Sequence, residues 1–299
     1  MVYRNIYITN PARLRFKMNQ LEVDNGEVLT FPIEDICCVL VDNEQTVLSA
    51  RLISSLAENG VCLIIADNKH MPVAQLVPVG VYCRVNKRIK LQIEQSKPKL
   101  KRIWQKVVTR KIENQSLCLD KLGIPEAERL MAISKEVQSG DTNNREGYAA
   151  SIYFKSLFGK EFSRNDENEI NAALNYGYAI IRAYISKSLV AYGLEPSLGI
   201  CHKNSLNAFC LSDDVIEPFR PIVDLYVTIK QQDWEGEFST AQKAELLQLL
   251  NVSVQIGEEH TSVSRAVELM IQSLIKTFEG DEIDIKMPSL DDISYVDYE

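Results

Sequence analysis

The hydrophobic period changes once along this chain, near residue 80, and that change limits the fold more than any other feature. Before it, NIYIT, ARLRFK, QLEV and EVLTF are short runs rich in β-branched and aromatic residues, bounded by turn residues, as strands are. Asp24-Asn25-Gly26 separates two of them and predicts a type I′ hairpin, because Asn-Gly tolerates the positive φ angles that turn needs. ICCVLV and VCLIIA read as buried strands, with SARLISSLAE a short helix between them that stops at Gly60. From about Tyr82, apolar residues recur at three and four in Ile89 to Ile93, Ile103 to Val107, Ile152 to Phe158, Ala179 to Val190 and Val263 to Ile275. Helices are expected to dominate from there to residue 279, without a solenoid-like repeat. The expected class is α+β: a small β-rich domain over 1–80, a larger all-α domain over 81–279, and an acidic tail over 280–299.

The tail, GDEIDIKMPSLDDISYVDYE, holds seven acids and one lysine, a composition that predicts flexibility. Its Ile283, Leu290, Ile293, Tyr295, Val296 and Tyr298 leave a second reading, a docking strand or short motif for a partner. The net charge of −8 argues at first against a nucleic-acid partner, since phosphates demand Lys and Arg. Its distribution weakens that objection: residues 1–111 hold 17 Lys and Arg against 10 Asp and Glu, whereas 112–299 hold 16 against 31. Between Arg84 and Lys111 stand eleven basic residues and one acid, Glu94, which is either a footprint for DNA or a solvated helix face. The seven cysteines show no CxxC or disulfide spacing and read as reduced thiols of a cytoplasmic protein. The N-terminus is unlike a signal peptide and no apolar run is long enough to span a bilayer, so no membrane association is expected.

Three histidines are present. His70 sits in a polar turn and is expected at the surface; His260 precedes a helix starting near Thr261 or Ser262 and is expected in its cap region. His202, in SLGICHKNSL, comes shortly before the acidic stretch LSDDVIEPFRP. There Ile216, Phe219, Val223, Tyr226 and Val227 form an apolar helical stripe, with Asp213, Asp214, Glu217, Arg220 and Asp224 on the other side. Asp214 and Glu217 fit a capping-box-like helix start as well as they fit a site. Glu146 heads the stripe of Ala150, Tyr153, Phe154 and Leu157, where it is either an acid placed for the helix dipole or a carboxylate awaiting a cation. Two carboxylates and an imidazole suit Mg²⁺ or Mn²⁺. HExxH, CxxC and Walker A patterns are missing, which removes support from zinc-protease, zinc-finger and nucleotide-hydrolase readings.

Three segments in order, NREGYAASIYF, NAALNYGYAIIRAYISKSLVAYGLEPSLGICHKN and LSDDVIEPFRPIVDLYV, resemble the CRISPR-associated adaptation integrase, the nuclease-like large subunit that acquires spacers. The β-rich start, with FPIEDICCVLVDN, is similar too, so the resemblance covers all but the tail. It implies that Glu146, His202 and Glu217 are catalytic metal ligands for Mg²⁺ or Mn²⁺, with Asp214 a further acid that competes with Glu217 for the role. It implies a β-rich dimerisation domain before a helical catalytic domain, and a homodimer acting on double-stranded DNA, both spacer precursor and repeat. A small ferredoxin-like second subunit and other adaptation proteins of the same system are the implied partners, and the details are closest to systems with a single large effector nuclease. The implied reaction is attack of a DNA 3′-hydroxyl on a phosphodiester of the repeat, with Lys203, Arg145 and Arg220 holding nearby phosphates. Two other readings stay open at this level, a stand-alone metal-dependent nuclease that delivers water and a noncatalytic DNA-bridging scaffold.

Overall fold

The computed structural model describes residues 3–78, 85–231, 234 and 238–294. The chain opens with β1 (Arg4–Ile8), β2 (Arg13–Lys17), β3 (Gln20–Asp24), β4 (Val28–Pro32), β5 (Ile36–Val41) and the two-residue β6 (Val47–Leu48). Helix α1 (Ala50–Glu58), capped by the Ser49 side chain accepting from the Leu52 amide, leads to β7 (Cys62–Ala66) and β8 (Pro72–Gln75). Two four-stranded sheets result, ordered β4-β3-β2-β6 and β1-β5-β7-β8. β5 runs parallel to β1 and β7, and α1 supplies the crossover that the parallel β5–β7 pair requires.

All six residues of β5 are buried because both of its faces are covered. Val39 and Val41 meet Leu14, Leu21, Leu52 and Leu56 in a small core between the sheets and α1. Cys38 and Leu40, with Cys62 and Ile64 of β7, join the large core of the helical part. The β-rich start is thus welded to the helices through one face of one sheet. The Asn25-Gly26 hairpin is present in a different form: Asp24 pairs with Val28, three residues form the loop, and of these only Gly26 has positive φ. The register set by the flanking strands leaves no two-residue type I′ turn.

The expected boundary near residues 80 and 81, with Cys83 and Arg84, lies outside the described residues. The helical part comprises α2 (Val85–Ile93), α3 (Lys97–Lys121), α4 (Ala127–Ser134), α5 (Arg145–Phe158), α6 (Glu169–Ala191), α7 (Cys210–Ile216), α8 (Arg220–Lys230), α9 (Thr240–Leu247) and α10 (Val263–Glu279). Ser96, Asn168 and Ser262 cap α3, α6 and α10 by accepting from amides three residues on. Between α7 and α8 a 3₁₀ turn, Glu217–Phe219, interrupts the expected single helix, with Pro218 and Pro221 in the two first turns that follow. Its acidic side is not solvated as a surface face would be, since Asp214, Glu217 and Asp224 are all buried.

The second part is mostly helical, as expected, with one small sheet added to it. β9 (Ser253–Ile256), β10 (Glu259–Ser262) and β11 (Pro288–Ser294) form an antiparallel sheet in the order β10-β9-β11. His260 therefore lies in a strand, two residues before the Ser262 cap. His70 is exposed as expected, with Nδ1 2.9 Å from Asp42 Oδ1.

The flexible tail needs correction over 280–294. Ile285 and Leu290 are buried, and β11 pairs with β9. The buried Asn114 of α3 donates to the Pro288 carbonyl (3.0 Å) and accepts from the Leu290 amide (3.3 Å). Lysines of the same helix bind tail carbonyls: Lys99 that of Gly280 (2.6 Å), Lys106 that of Ile283 and Lys121 that of Asp291. Acid content predicts disorder only when too little apolar surface is buried, and here Ile285 and Leu290 bury enough to hold the strand. Tyr295, Val296 and Tyr298 lie outside the described residues. Among the described residues, no helix is long and apolar enough to cross a membrane.

Candidate functional site

Glu217 occupies the 3₁₀ turn and is 4% exposed. One turn on, Arg220 Nε lies 3.0 Å from its Oε1, and the Lys111 ammonium of α3 lies 2.5 Å from its Oε2. The same ammonium is 2.5 Å from Oε1 of Glu146, at the start of α5. Two of the three expected acidic and imidazole ligands are thus brought together around one cation.

Glu146 is aimed by its own helix start. Asn144 takes the left-handed conformation, and the first free amides of α5, those of Arg145 and Glu146, donate to the Asp141 carboxylate at 2.8 and 3.1 Å. Gly147 of the Arg-Glu-Gly motif is tightly placed, since a Cβ there would stand 2.8 Å from Asn144 Oδ1.

His202 is held from the other side. Asp214 has no exposed surface, and its carboxylate accepts from the amides of Ile200 (2.5 Å), Cys201 (3.0 Å) and His202 (3.2 Å). Nδ1 of His202 lies 2.7 Å from Oδ1 of Asp214, which leaves Nε2 as the nitrogen available to a ligand. Gly199 is required by the same fold of the loop: a side chain there would collide with the His202 carbonyl oxygen and Asp214 Oδ2. Asp214 and Glu217 differ in what their oxygens meet. Asp214 spends both oxygens on the His202 loop, while Glu217 Oε2 faces only the ammonium, without a directed hydrogen bond.

The electrostatics follow. Burial pushes the Glu217 carboxyl up, but Lys111 and Arg220 outweigh it and hold the group down at about 2. Burial likewise opposes the charge on Lys111, and Glu217 and Glu146 more than restore it, raising its pKa. The hydrogen bond to Asp214 raises the His202 pKa, against partial burial. Behind Glu217, the Arg220 guanidinium lies 4.6 Å from the Tyr178 ring centre, and the hydroxyls of Tyr178 and Tyr153 donate to buried Asp224. Burial pushes the Asp224 carboxyl up to about 6 despite those two hydrogen bonds.

Other expected roles are redistributed. Arg220 gives its Nε to Glu217. Arg145 pairs with Glu136 at 3.2 Å. Lys203 is exposed beside His202, on a cleft of about 470 Å³ also lined by Gln92, Leu198 and Phe278. Of the basic 84–111 segment, Arg88 pairs with Glu279, Lys99 and Lys106 hold the tail, Arg110 pairs with Glu113, and Lys111 is in the site. Lys87, Lys90, Lys97, Lys101 and Arg102 remain as its exposed basic residues.

Sequence reasoning missed Lys111 as a site residue. The signal was its register, because Trp104, Val108, Lys111, Gln115 and Cys118 follow helical spacing and the other four are buried. A lysine at a core position needs a paired acid.

The residues fit a divalent cation on one observation: a buried ionised carboxylate and a second one converge on a single positive charge. Among the described residues, no three His, Cys, Asp or Glu side chains form a ready-made metal cluster, so His202 stands apart from the acid pair.

Comparison with known proteins bears on this geometry. Residues 6–249 match the family described as CRISPR associated protein Cas1. The CRISPR-associated endonuclease Cas1 of Neisseria meningitidis serogroup C (strain 8013) is 41% identical over 277 residues, which is 91% of each chain. Among solved structures, a casposase bound to its integration product superposes with a TM-score of 0.77 at 19% identity, covering 95% of this chain and 92% of that one. A Cas1 protein from Thermotoga maritima gives 0.71 at 18% identity, over 93% and 97%. These two share the fold. With the family match spanning most of its length and a relative of that identity over nine-tenths of both chains, this chain belongs to the Cas1 family of CRISPR-associated proteins.

Proposed function

We propose that this chain is a metal-dependent DNA endonuclease and integrase that inserts short foreign DNA segments into a CRISPR repeat array. The observation that carries this reading is the convergence of Glu146 and Glu217, 71 positions apart in sequence, on one cation. The similar Neisseria protein is named an endonuclease, and one structural relative is a casposase bound to its integration product.

Glu146 and Glu217 would hold Mg²⁺ or Mn²⁺ through one oxygen each, with His202 contributing Nε2. When bound, the ion polarises a phosphodiester and lowers the barrier to attack by a DNA 3′-hydroxyl. The chain's own part is to fix the ligands and gather DNA. Asp214 holds the imidazole in the tautomer that presents Nε2, and Arg220 keeps Glu217 ionised and aimed. Lys203 lies beside His202 to meet a phosphate, and the exposed Lys87, Lys90, Lys97, Lys101 and Arg102 extend a basic surface for double-stranded DNA. A homodimer formed through the β-rich start, a small ferredoxin-like second subunit, other adaptation proteins of the same system and a cytoplasmic location complete the proposal.

A strand-transfer assay with the small subunit, a defined repeat and short duplex DNA tests it, run with Mg²⁺, Mn²⁺ or chelator. Branched joined product that depends on the metal and is lost in Glu146→Ala and His202→Ala is expected. Cleaved fragments without joining would replace the integrase reading with a nuclease, and joining retained by either variant would overturn the site.

A further inference from the structure

We propose that Lys111 is a tethered counter-ion of the metal centre: its ammonium assembles Glu146 and Glu217 before the metal binds and competes with the metal for the same oxygens. This rests on the reading of those two acids as metal ligands.

Lys111 projects from the buried stripe of α3, and its side chain is only 12% exposed. Burying an ammonium there is costly unless it is paired. It is paired twice, at 2.5 Å to one oxygen of each acid, so those two oxygens are no more than about 5 Å apart. A hexacoordinate divalent ion with bonds of about 2.1 Å holds ligand oxygens up to about 4 Å apart. Without a cation between them, two carboxylates this close repel each other and spread. The ammonium therefore keeps the pair within a small movement of metal-binding spacing.

Charge then forces competition. Glu146 and Glu217 carry two negative charges, and Lys111 with Arg220 carries two positive ones, so the cluster is already neutral. A divalent ion entering beside an unmoved ammonium would leave two uncompensated positive charges in a largely buried site. Lys111 must swing away as the metal enters, and its four-carbon stem allows that toward the Glu146 side, where the carboxylate is 26% exposed. Arg220, stacked on Tyr178 and committed to Oε1, stays.

The test is Mn²⁺ titration by calorimetry on the full chain without DNA, comparing wild type with Lys111→Met, Lys111→Gln, Lys111→Arg and Glu217→Gln. Loss of the competing charge is expected to tighten Mn²⁺ binding about tenfold or more in the Met and Gln variants. Lys111→Arg, which keeps the charge, is expected to bind no tighter than wild type. Because the neutral variants leave two acids facing each other, their melting temperature without metal is expected to fall, with a larger upward shift on adding Mn²⁺ than wild type shows. Unchanged or weaker Mn²⁺ binding in both neutral variants, while Glu217→Gln still abolishes wild-type binding, overturns the role of Lys111 and leaves the metal site standing. Binding that Glu217→Gln does not alter overturns the metal site itself, and this inference with it.

Discussion

Nδ1 of His202 lies 2.7 Å from Oδ1 of Asp214, and the same carboxylate accepts the amides of residues 200, 201 and 202. One buried acid thus sets both the tautomer of the imidazole and the path of the loop that carries it. Removing such a partner of a ligating histidine typically lowers metal affinity or activity by about 10- to 100-fold. Asp214→Ala is expected to lose strand joining by at least that factor and to be destabilised by about 3 kcal/mol, because buried amides are left without an acceptor. Joining assays with urea unfolding check it; wild-type behaviour in both would show that Asp214 does not orient His202.

The two acids of the site differ in what their loss exposes. Glu217→Ala leaves Arg220 without its carboxylate and Lys111 with only the more exposed Glu146, and is expected to cost about 3 kcal/mol. Glu146→Ala leaves Lys111 paired with Glu217 and removes a more exposed group, so about 1 kcal/mol is expected. Equilibrium denaturation of the metal-free variants should give that order, and the reverse order would contradict the burial difference.

Asp224 predicts a pH effect away from the proposed metal ligands. Its carboxyl is pushed from an ordinary 3.8 to about 6, so the folded state holds the proton more tightly than the unfolded chain. Its contribution to stability is full below the unfolded value and is lost as pH rises through about 6. The stability of wild type relative to Asp224→Asn should therefore fall between about pH 4 and pH 6, by up to about 3 kcal/mol. A difference that stays flat across that range would refute the buried, raised carboxyl.

Metal affinity should depend on pH through His202. Its pKa is raised above the usual 6.5 by Asp214, and a protonated imidazole cannot bind a metal. Mn²⁺ binding is expected to strengthen as pH rises through that raised value, and the inflection should move to lower pH in Asp214→Asn. Titrations at several pH values measure it; an inflection indifferent to Asp214 would separate the two residues functionally.

The C-terminal strand predicts a contrast between neighbours. Leu290 is fully buried, so Leu290→Ala is expected to cost about 2 to 4 kcal/mol. Asp292 is exposed, and Asp292→Ala should lie within about 0.5 kcal/mol of wild type. Thermal melts distinguish a docked strand from a free tail, for which both changes would be silent.

Much of this protein was legible in its sequence. The period change near residue 80 placed strands before helices, and β1 through β5 with β7 fall where short β-branched runs predicted them. Glu146, His202 and Glu217 were proposed through the family resemblance of three motifs, whose glycines and proline are local features. Local patterns reach only as far as one element. That Asp214 is consumed by the His202 loop while Glu217 meets Lys111 is a matter of tertiary contacts. The tail looked disordered by composition because its partners, Asn114 and β9, are far away in sequence. Lys111 read as one basic residue among eleven until α3 packed against α5 and the 3₁₀ turn. Charge in a sequence is counted without regard to burial, whereas in the folded chain burial decides which charge a neighbouring carboxylate must answer.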